Sequence, residues 1–539
     1  IAGSNEAANG YRTVSECTIQ TYPSSSNRGG VAGINNDGGT IEMTVPEDKQ
    51  INTHTITYSD DAYNITTSVW DGTGTDKKIV SENNSPYVDC VTDTGLSPHD
   101  TASYANGNIG GVAGTNEGSI QNVAVSADIT GTSGGTAYGY GGIAGINNKT
   151  ISYCSYQART DSNDTTVSGI SVAGTNVNLG GIAGINGNAS NTSAEIKYCV
   201  IGISKATTIS NSLSGSASGN VGGIAGLHYG SILNCDNYKY SSAKVTISND
   251  AGNVAGIAGT VSSAAAKATG EDINNRLYRL STGAAWTVTS KASYNDNGIG
   301  GILGFSVSGE DINYADNHAK IFITYTGKAA LGGLIGRSQI DSIGMSVSNC
   351  VNYGDIKNQG GWDSQSDQLA GGMIGREKYQ CVNFENCQNY GDIQAGRAGG
   401  GLLGWGYQSI GSYYVMDCYN FGNITGKEAS GLVGLYTKGT VSSISIIRSI
   451  NVGVIDSKNG TSYGLAKGTD KDNGVNALYL YRCRNYGYSS NSKFYGLCNG
   501  ADIISDCFNL SNKHDFSINN SLFRSYNVIS GSTAAYSYE

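Results

Sequence analysis

Gly371-Gly372-Met373-Ile374-Gly375, followed after a loop by Glu385-Asn386-Cys387-Gln388-Asn389-Tyr390-Gly391-Asp392-Ile393, is the stretch on which the reading of this chain turns. The phrase returns as Gly400-Gly401-Leu402-Leu403-Gly404 with Met416-Asp417-Cys418-Tyr419-Asn420-Phe421-Gly422-Asn423-Ile424. A period of this kind has to be recognised before any motif is read, because repeated glycines otherwise pass for ligand loops. Looser copies begin near Gly29, Gly110, Gly141, Gly180, Gly222, Ala255, Gly300, Gly332, Ser430, Tyr463 and Tyr495. They stand about 29 to 45 residues apart, inside the range of solenoid repeats, except between Gly29 and Gly110. The chain begins Ile1-Ala2-Gly3-Ser4-Asn5, matching the inside of Gly142-Ile143-Ala144-Gly145-Ile146-Asn147, and so reads as a fragment cut in mid-repeat.

Each unit holds three apolar segments: the glycine phrase, an Ile-x-Asn-Cys segment such as Ile232-Leu233-Asn234-Cys235, and a Tyr-Gly-Asp-Ile segment such as Tyr353-Gly354-Asp355-Ile356. Three short strands joined by turns make one coil that cannot bury its apolar face alone, and stacking coils in register solves this. The expected fold is therefore all-β, a right-handed parallel β-helix of about fourteen three-strand coils with two insertions. Coils occupy 1–41, 107–260 and 298–539. An inserted β-rich segment occupies 42–106, where the alternation of Thr53-His54-Thr55-Ile56-Thr57-Tyr58 suggests a strand or hairpin. A second insertion, 261–297, carries Arg276, Arg279 and Trp286. The glycine pairs are expected to take positive φ at the turn, and the second position is the stricter, since Ala255, Ser430, Tyr463 and Tyr495 replace only the first.

Composition agrees with such a fold. Among 539 residues there are 78 glycines and only 4 prolines, and 14% are charged. Glycine inside a helix costs roughly 1 kcal/mol, so a helical architecture is disfavoured. The glycine is not in triplet register, which excludes collagen. The net charge of −10 is spread thinly with no basic stripe, which argues against nucleic acid and anionic membrane as partners. No apolar run reaches the roughly 18 to 20 residues of a membrane-spanning helix.

The twelve cysteines fall largely into one slot: Cys154, Cys199, Cys235, Cys350, Cys387, Cys418, Cys483 and Cys507, with Cys17 fitting it and Ala315 and Ser449 replacing it. One cysteine per coil at one position predicts an inward ladder of small side chains, with disulfides between adjacent rungs as the alternative. Zinc is disfavoured, because there is no CxxC and no histidine near the slot. Cys90, Cys381 and Cys498 fall outside it, Cys90 with no evident partner. Two places after the cysteine, Asn237, Asn317, Asn352, Asn389, Asn420, Asn451, Asn485 and Asn509 predict a stacked amide ladder. A carbohydrate-binding row is the competing reading. Next come Tyr238, Tyr353, Tyr390, Phe421 and Tyr486, read as an aromatic stack before a sugar platform.

Chemistry is sought and mostly not found. His54, His99, His228, His318 and His514 are scattered and form no zinc-hydrolase motif. The dinucleotide-like string at Gly139 to Ala144 is repeat glycine. Calcium-roll nonapeptides and an ice-binding Thr-x-Thr column are both missing. The Asp60-Asp61 pair reads as a solvated turn. Asp355 and Asp392, at equivalent positions, suggest an acidic pair or weak calcium site, against which Asn423 stands on the next coil. The sequence thus names no catalytic, cofactor-binding or metal-ligating residue.

With the glycine phrase followed by Ile-x-Asn-Cys-x-Asn-x-Gly-x-Ile, best seen in Cys387 to Gly404 and Cys418 to Gly434, the chain resembles the GLUG-motif repeats of large bacterial surface proteins. These include adhesin-like proteins and the non-catalytic repeat region of some immunoglobulin A peptidases. The resemblance implies a non-enzymatic, secreted or cell-surface solenoid serving as a stalk, fibre or attachment segment. Its partners would be a host or environmental glycan or protein, or neighbouring copies of the same protein. The competing readings are an ancillary region of a secreted protease and a β-helical carbohydrate-active enzyme.

Overall fold

The computed structural model describes most of residues 107–510 outside the longer loops, residues 32–42, and short strands at 4–5, 10–11, 16–18, 27–29, 53–57, 64–68, 89–91, 528–530 and 534–536. Every regular element among the described residues is a β-strand, and the strands build a parallel β-solenoid. The chain divides into two compact units, Ile1–Thr269 with Arg279–Thr287, and Gly270–Tyr278 with Val288–Glu539.

In the first unit, Asn27–Gly29, Asn108–Gly110, Gly139–Gly141, Asn178–Gly180, Asn220–Gly222 and Asn253–Ala255 pair successively in parallel. Their register sets Gly29, Gly110, Gly141, Gly180, Gly222 and Ala255 in one column, so the glycine markers of the sequence are equivalent points on successive turns. A second column runs through Ala32–Asn35, Ala113–Asn116, Ala144–Asn147, Ala183–Asn186 and Ala225–His228. A third runs through Ser119–Gln121, Thr150–Ser152, Glu195–Lys197 and Ser231–Leu233, whose central Ile120, Ile151, Ile196 and Ile232 are fully buried. On the closing side, Ile129–Ser133, Gly169–Gly174, Thr207–Asn211 and Val245–Asn249 contribute Ile129, Ile170, Ile209 and Ile247 to the same core. Parallel pairing needs a long return connection. Here the rest of the turn is that connection, and like side chains stack because each turn repeats the last.

The second unit follows the same plan. Gly300, Gly332, Gly371, Gly400, Ser430, Tyr463 and Tyr495 align in one parallel column. The turn that holds Gly371 has five strands: Leu369–Gly371, Ile374–Gln380, Val382–Glu385, Gln388–Asn389 and Ile393–Gln394. The three segments read from sequence are thus subdivided, because the chain bends within the glycine phrase and again beside the cysteine. On the next turn a single fourteen-residue strand, Leu403–Met416, pairs with both Ile374–Gln380 and Val382–Glu385 and ends just before the bend beside Cys418.

The glycine pair is not explained by positive φ, contrary to the sequence reading: the positive-φ glycines among the described residues are Gly38, Gly169, Gly187, Gly202 and Gly411, none in a marker pair. Close approach is the cause instead. A Cβ on Gly372 would run into the carbonyl oxygen of Gly401 on the neighbouring turn, and one on Gly142 into that of Gly181. A Cβ on Gly371 would meet the Ile374 carbonyl of its own turn first, and less closely the Gly404 nitrogen of the next. An obstacle within the turn yields to a local adjustment, whereas one on the next turn yields only by opening the rung spacing. The nearest obstacle lies within the turn at the first position and on the neighbouring turn at the second, in keeping with alanine, serine and tyrosine occurring only at the first.

Within 42–106, Thr53–Thr57 pairs antiparallel with Asn64–Ser68, the hairpin pairing that its alternation suggests. Asp89–Val91 pairs in parallel with Glu16–Thr18 and sets Cys90 in register with Cys17, a partner the sequence reading did not give it. The remainder of that segment, Asp60 and Asp61 included, lies outside the described residues. Within 261–297, Leu277–Ser281 and Thr287–Ser290 are strands, Arg279 and Trp286 are buried, and Arg276 lies outside the described residues.

Candidate functional site: a corner with a buried ladder inside and an aromatic column outside

The residue that precedes the cysteine slot is the hinge of each turn. Tyr153, Tyr198 and Asn234 in the first unit have φ of 54° each. Tyr314, Asn349, Asn386, Asp417, Arg448, Arg482 and Asp506 in the second have φ between 47° and 58°. Left-handed backbone costs a non-glycine residue on the order of 1–2 kcal/mol, so the stacked turns on either side must hold it. Outward, these residues stack on one another: the rings of Tyr153 and Tyr198 lie parallel at 4.8 Å, and Asn386 donates to Asn349 at 2.8 Å. Asp417 accepts from the Arg448 guanidinium at 2.5 Å, which holds its carboxyl below the usual range.

The reversal sends the next side chain inward. Cys154, Cys199, Cys235, Cys350, Cys387, Cys418, Cys483 and Cys507 are buried thiols without disulfides. Each Sγ reaches the carbonyl two residues earlier, as in Cys387 to Glu385 at 3.4 Å, and commonly a carbonyl of the preceding turn, here Val347 at 3.2 Å. Ser449 reproduces the pattern with an Oγ bond to Ile447 at 2.8 Å. Burial pushes the Cys199, Cys350 and Cys418 thiols up, away from the thiolate that nucleophilic chemistry needs. Cys381 lies outside the described residues, and Cys498 is buried.

Two places on, the amide ladder is continuous. Asn317 donates to Asn352, Asn352 to Asn389, Asn389 to Asn420, Asn420 to Asn451, Asn451 to Asn485, and Asn485 to Asn509, at 2.7 to 3.0 Å. Each from Asn352 to Asn485 also donates to the glycine carbonyl two residues later, such as Gly391 at 2.9 Å from Asn389. Asn237 lies outside the described residues. The first unit has a second ladder that the sequence reading missed. Asn35 donates to Asn116, Asn116 to Asn147 and Asn147 to Asn186, each at 2.8 Å, and Asn186 reaches His228 Nδ1 at 3.0 Å. The recurring Ala-Gly-Ile-Asn of 32–35, 144–147 and 183–186 was its signal.

The residue after the ladder asparagine points to solvent. His318, Tyr353, Tyr390 and Phe421 stack with centroids at 4.5, 5.2 and 4.7 Å and interplanar angles of 7° to 12°. Tyr353, Tyr390, Phe421, Val452 and Tyr486 are 47, 43, 40, 42 and 41% exposed, so one strip of the second unit presents large apolar groups to water. Burial lowers the His318 imidazole to about 4, leaving it neutral at pH 7. Tyr238 lies outside the described residues.

Two places further, Asp355 accepts the Asp392 amide at 3.1 Å, Asp392 accepts the Asn423 amide at 2.9 Å, and Asn423 accepts the Val454 amide at 3.0 Å. Burial works to raise the Asp355 carboxyl, but the Lys357 ammonium at 2.8 Å and the Asp392 amide outweigh it, and the group stays below the usual range. Asp and Asn are interchangeable here because the job is to accept one amide of the next turn. Among the described residues no group of three or more His, Cys, Asp and Glu side chains is placed to hold a metal ion, and no helix is long and apolar enough to cross a membrane. His54, His99 and His514 have no described side chains, and His228 and His318 lie in different units.

No protein-family model, curated protein or solved structure matches the chain.

Proposed function

We propose that this chain is a segment of a non-enzymatic, extracellular surface protein of bacterial GLUG-repeat type, a right-handed β-solenoid of about fourteen coils with insertions near 42–106 and 261–297. It serves as a stalk or adhesin-like repeat region that displays or attaches, with a glycan, a protein or neighbouring copies as partner. The observation that carries the reading is the use made of the recurring polar positions. The asparagines, the cysteines and the Asp355 and Asp392 carboxylates each bond the neighbouring turn and maintain register. Recurrence of this kind supports scaffold over catalyst, since a catalytic centre needs dissimilar groups converging at one place. Labelling intact producing cells with an antibody to this chain tests the proposal. Signal without permeabilisation is expected, and signal only after lysis would sink it.

A further inference from the structure

We propose that the exposed aromatic column of the second unit is a lateral contact face for a second copy of this chain, the two columns lying alongside each other. Tyr353 and Tyr390 each have a ring against both faces, at 4.5 and 5.2 Å and at 5.2 and 4.7 Å. A pyranose or a planar base binds an aromatic residue through an open ring face, and in the middle of this stack no face is open. What meets water is a row of ring edges at the interval of the rungs. A body that touches such a row over several rungs must repeat at the same interval of about 4.8 Å, and matched ladders interlock in this way in steric zippers. The chain itself has that interval. The column itself is uncharged; beside it Asp355 is paired with Lys357 at 2.8 Å, and the exposed Asp392 carboxylate lies on the next turn.

The area sets the strength. At 40 to 47% exposure, each large side chain offers roughly 90 Å², and the five together roughly 450 Å², against about 800 Å² per partner in a stable complex. The contact is therefore weak in dilute solution and becomes effective where copies are held close together, since tethering raises local concentration into the millimolar range. This deepens the surface-repeat reading, on which its biological use rests, while the contact itself is measurable without it.

The experiment uses the full chain carrying Asn423→Cys, an exposed position two places beyond Phe421 that leaves the aromatic column intact, with Ser190→Cys at an exposed position of the first unit as control and the unsubstituted chain as baseline. Each is treated with a short bis-maleimide over a concentration series. The proposal expects severalfold more cross-linked dimer from Asn423→Cys than from Ser190→Cys. In sedimentation, it expects that Tyr353→Ser, Tyr390→Ser and Phe421→Ser together abolish concentration-dependent association while the β circular dichroism is retained. If the triple variant fails to fold, Tyr390→Ser alone replaces it. Equal cross-linking at the two positions overturns the proposal. So does a polysaccharide that binds the monomer and is lost with the triple variant, which would make the strip a glycan site. Loss of cross-linking with surface labelling intact removes the lateral contact alone, whereas absence of surface labelling with cross-linking intact removes the surface reading alone.

Discussion

Asn389 shows what one residue does in this fold. Its carboxamide accepts from Asn352 at 2.7 Å and donates to Asn420 at 2.7 Å and to the Gly391 carbonyl at 2.9 Å. Replacing it by alanine leaves buried groups on two neighbouring turns without their bonds, at about 1–3 kcal/mol for each unsatisfied group. Asn389→Ala should therefore lower the denaturation midpoint by far more than removal of an exposed polar group, and chemical denaturation measures the difference. Gly372→Ala and Gly371→Ala make a sharper pair. The first should be poorly folded, because its methyl meets the Gly401 carbonyl across the rung, and the second should be tolerated, because Ala255 already stands at that position. Equal loss of stability in thermal melts would contradict this account. His318 adds a pH dependence. Its folded form resists protonation down to about pH 4, while an unfolded histidine takes up a proton near 6.5. The unfolded state thus binds more protons between those values, and stability should be level above about 6.5 and decline as pH falls toward 4. The difference between unsubstituted and His318→Phe stability curves isolates this share, and no difference across that window would refute it.

At the scale of the element, the sequence announced the positions where two backbones touch and was silent where side chains face water. Gly301, Gly333 and Gly372 were legible as one position on successive turns, since close approach between rungs admits only glycine there over and over. The reason assigned to them was wrong, because tightness between rungs and positive φ ask for the same residue. Positive φ belongs instead to Asn349, Asn386, Asp417 and Arg448. Asparagine recurs there but alternates with aspartate, arginine and tyrosine, so the Asn of the Ile-x-Asn-Cys segment was visible while its backbone role was not. The cysteine and asparagine columns were legible because inward slots constrain size and hydrogen bonding on every turn. Exposure of the neighbouring aromatic residues was not, for a tyrosine that recurs once per turn looks the same buried or bare. The pairing of Cys90 with Cys17 went unread because the long gap after Gly29 hid its register.

At the scale of the molecule, each unit is a stack in which a turn bonds the turns before and after it, so stability is close to a sum of repeat and interface terms. Excising a whole period should then be survivable. Deleting residues 371–399 brings Gly400 to the place of Gly371, since those two glycines are register partners, and joins Val351–Asn352 to the turn of Tyr419–Asn420. Deleting 371–385 removes the same glycine phrase but leaves half a turn without a partner. The first variant should retain soluble β structure with a modest loss of melting temperature, and the second should aggregate or lose its circular dichroism. If both behave alike, the turn is not the unit of folding.

The asparagine ladder of the second unit also has a direction. From Asn317 to Asn485 every carboxamide gives its N–H to the oxygen of the residue on the following turn, and none is reversed. Each side-chain amide is a dipole comparable to a peptide unit, and aligned peptide dipoles sum to a macrodipole in a helix. Strand dipoles in a sheet largely cancel, whereas this buried row adds. The column therefore behaves as an electrical axis, positive toward Asn509 and negative toward Asn317. It favours an acidic neighbour at the first end and a basic one at the second, a polarity that no single rung possesses.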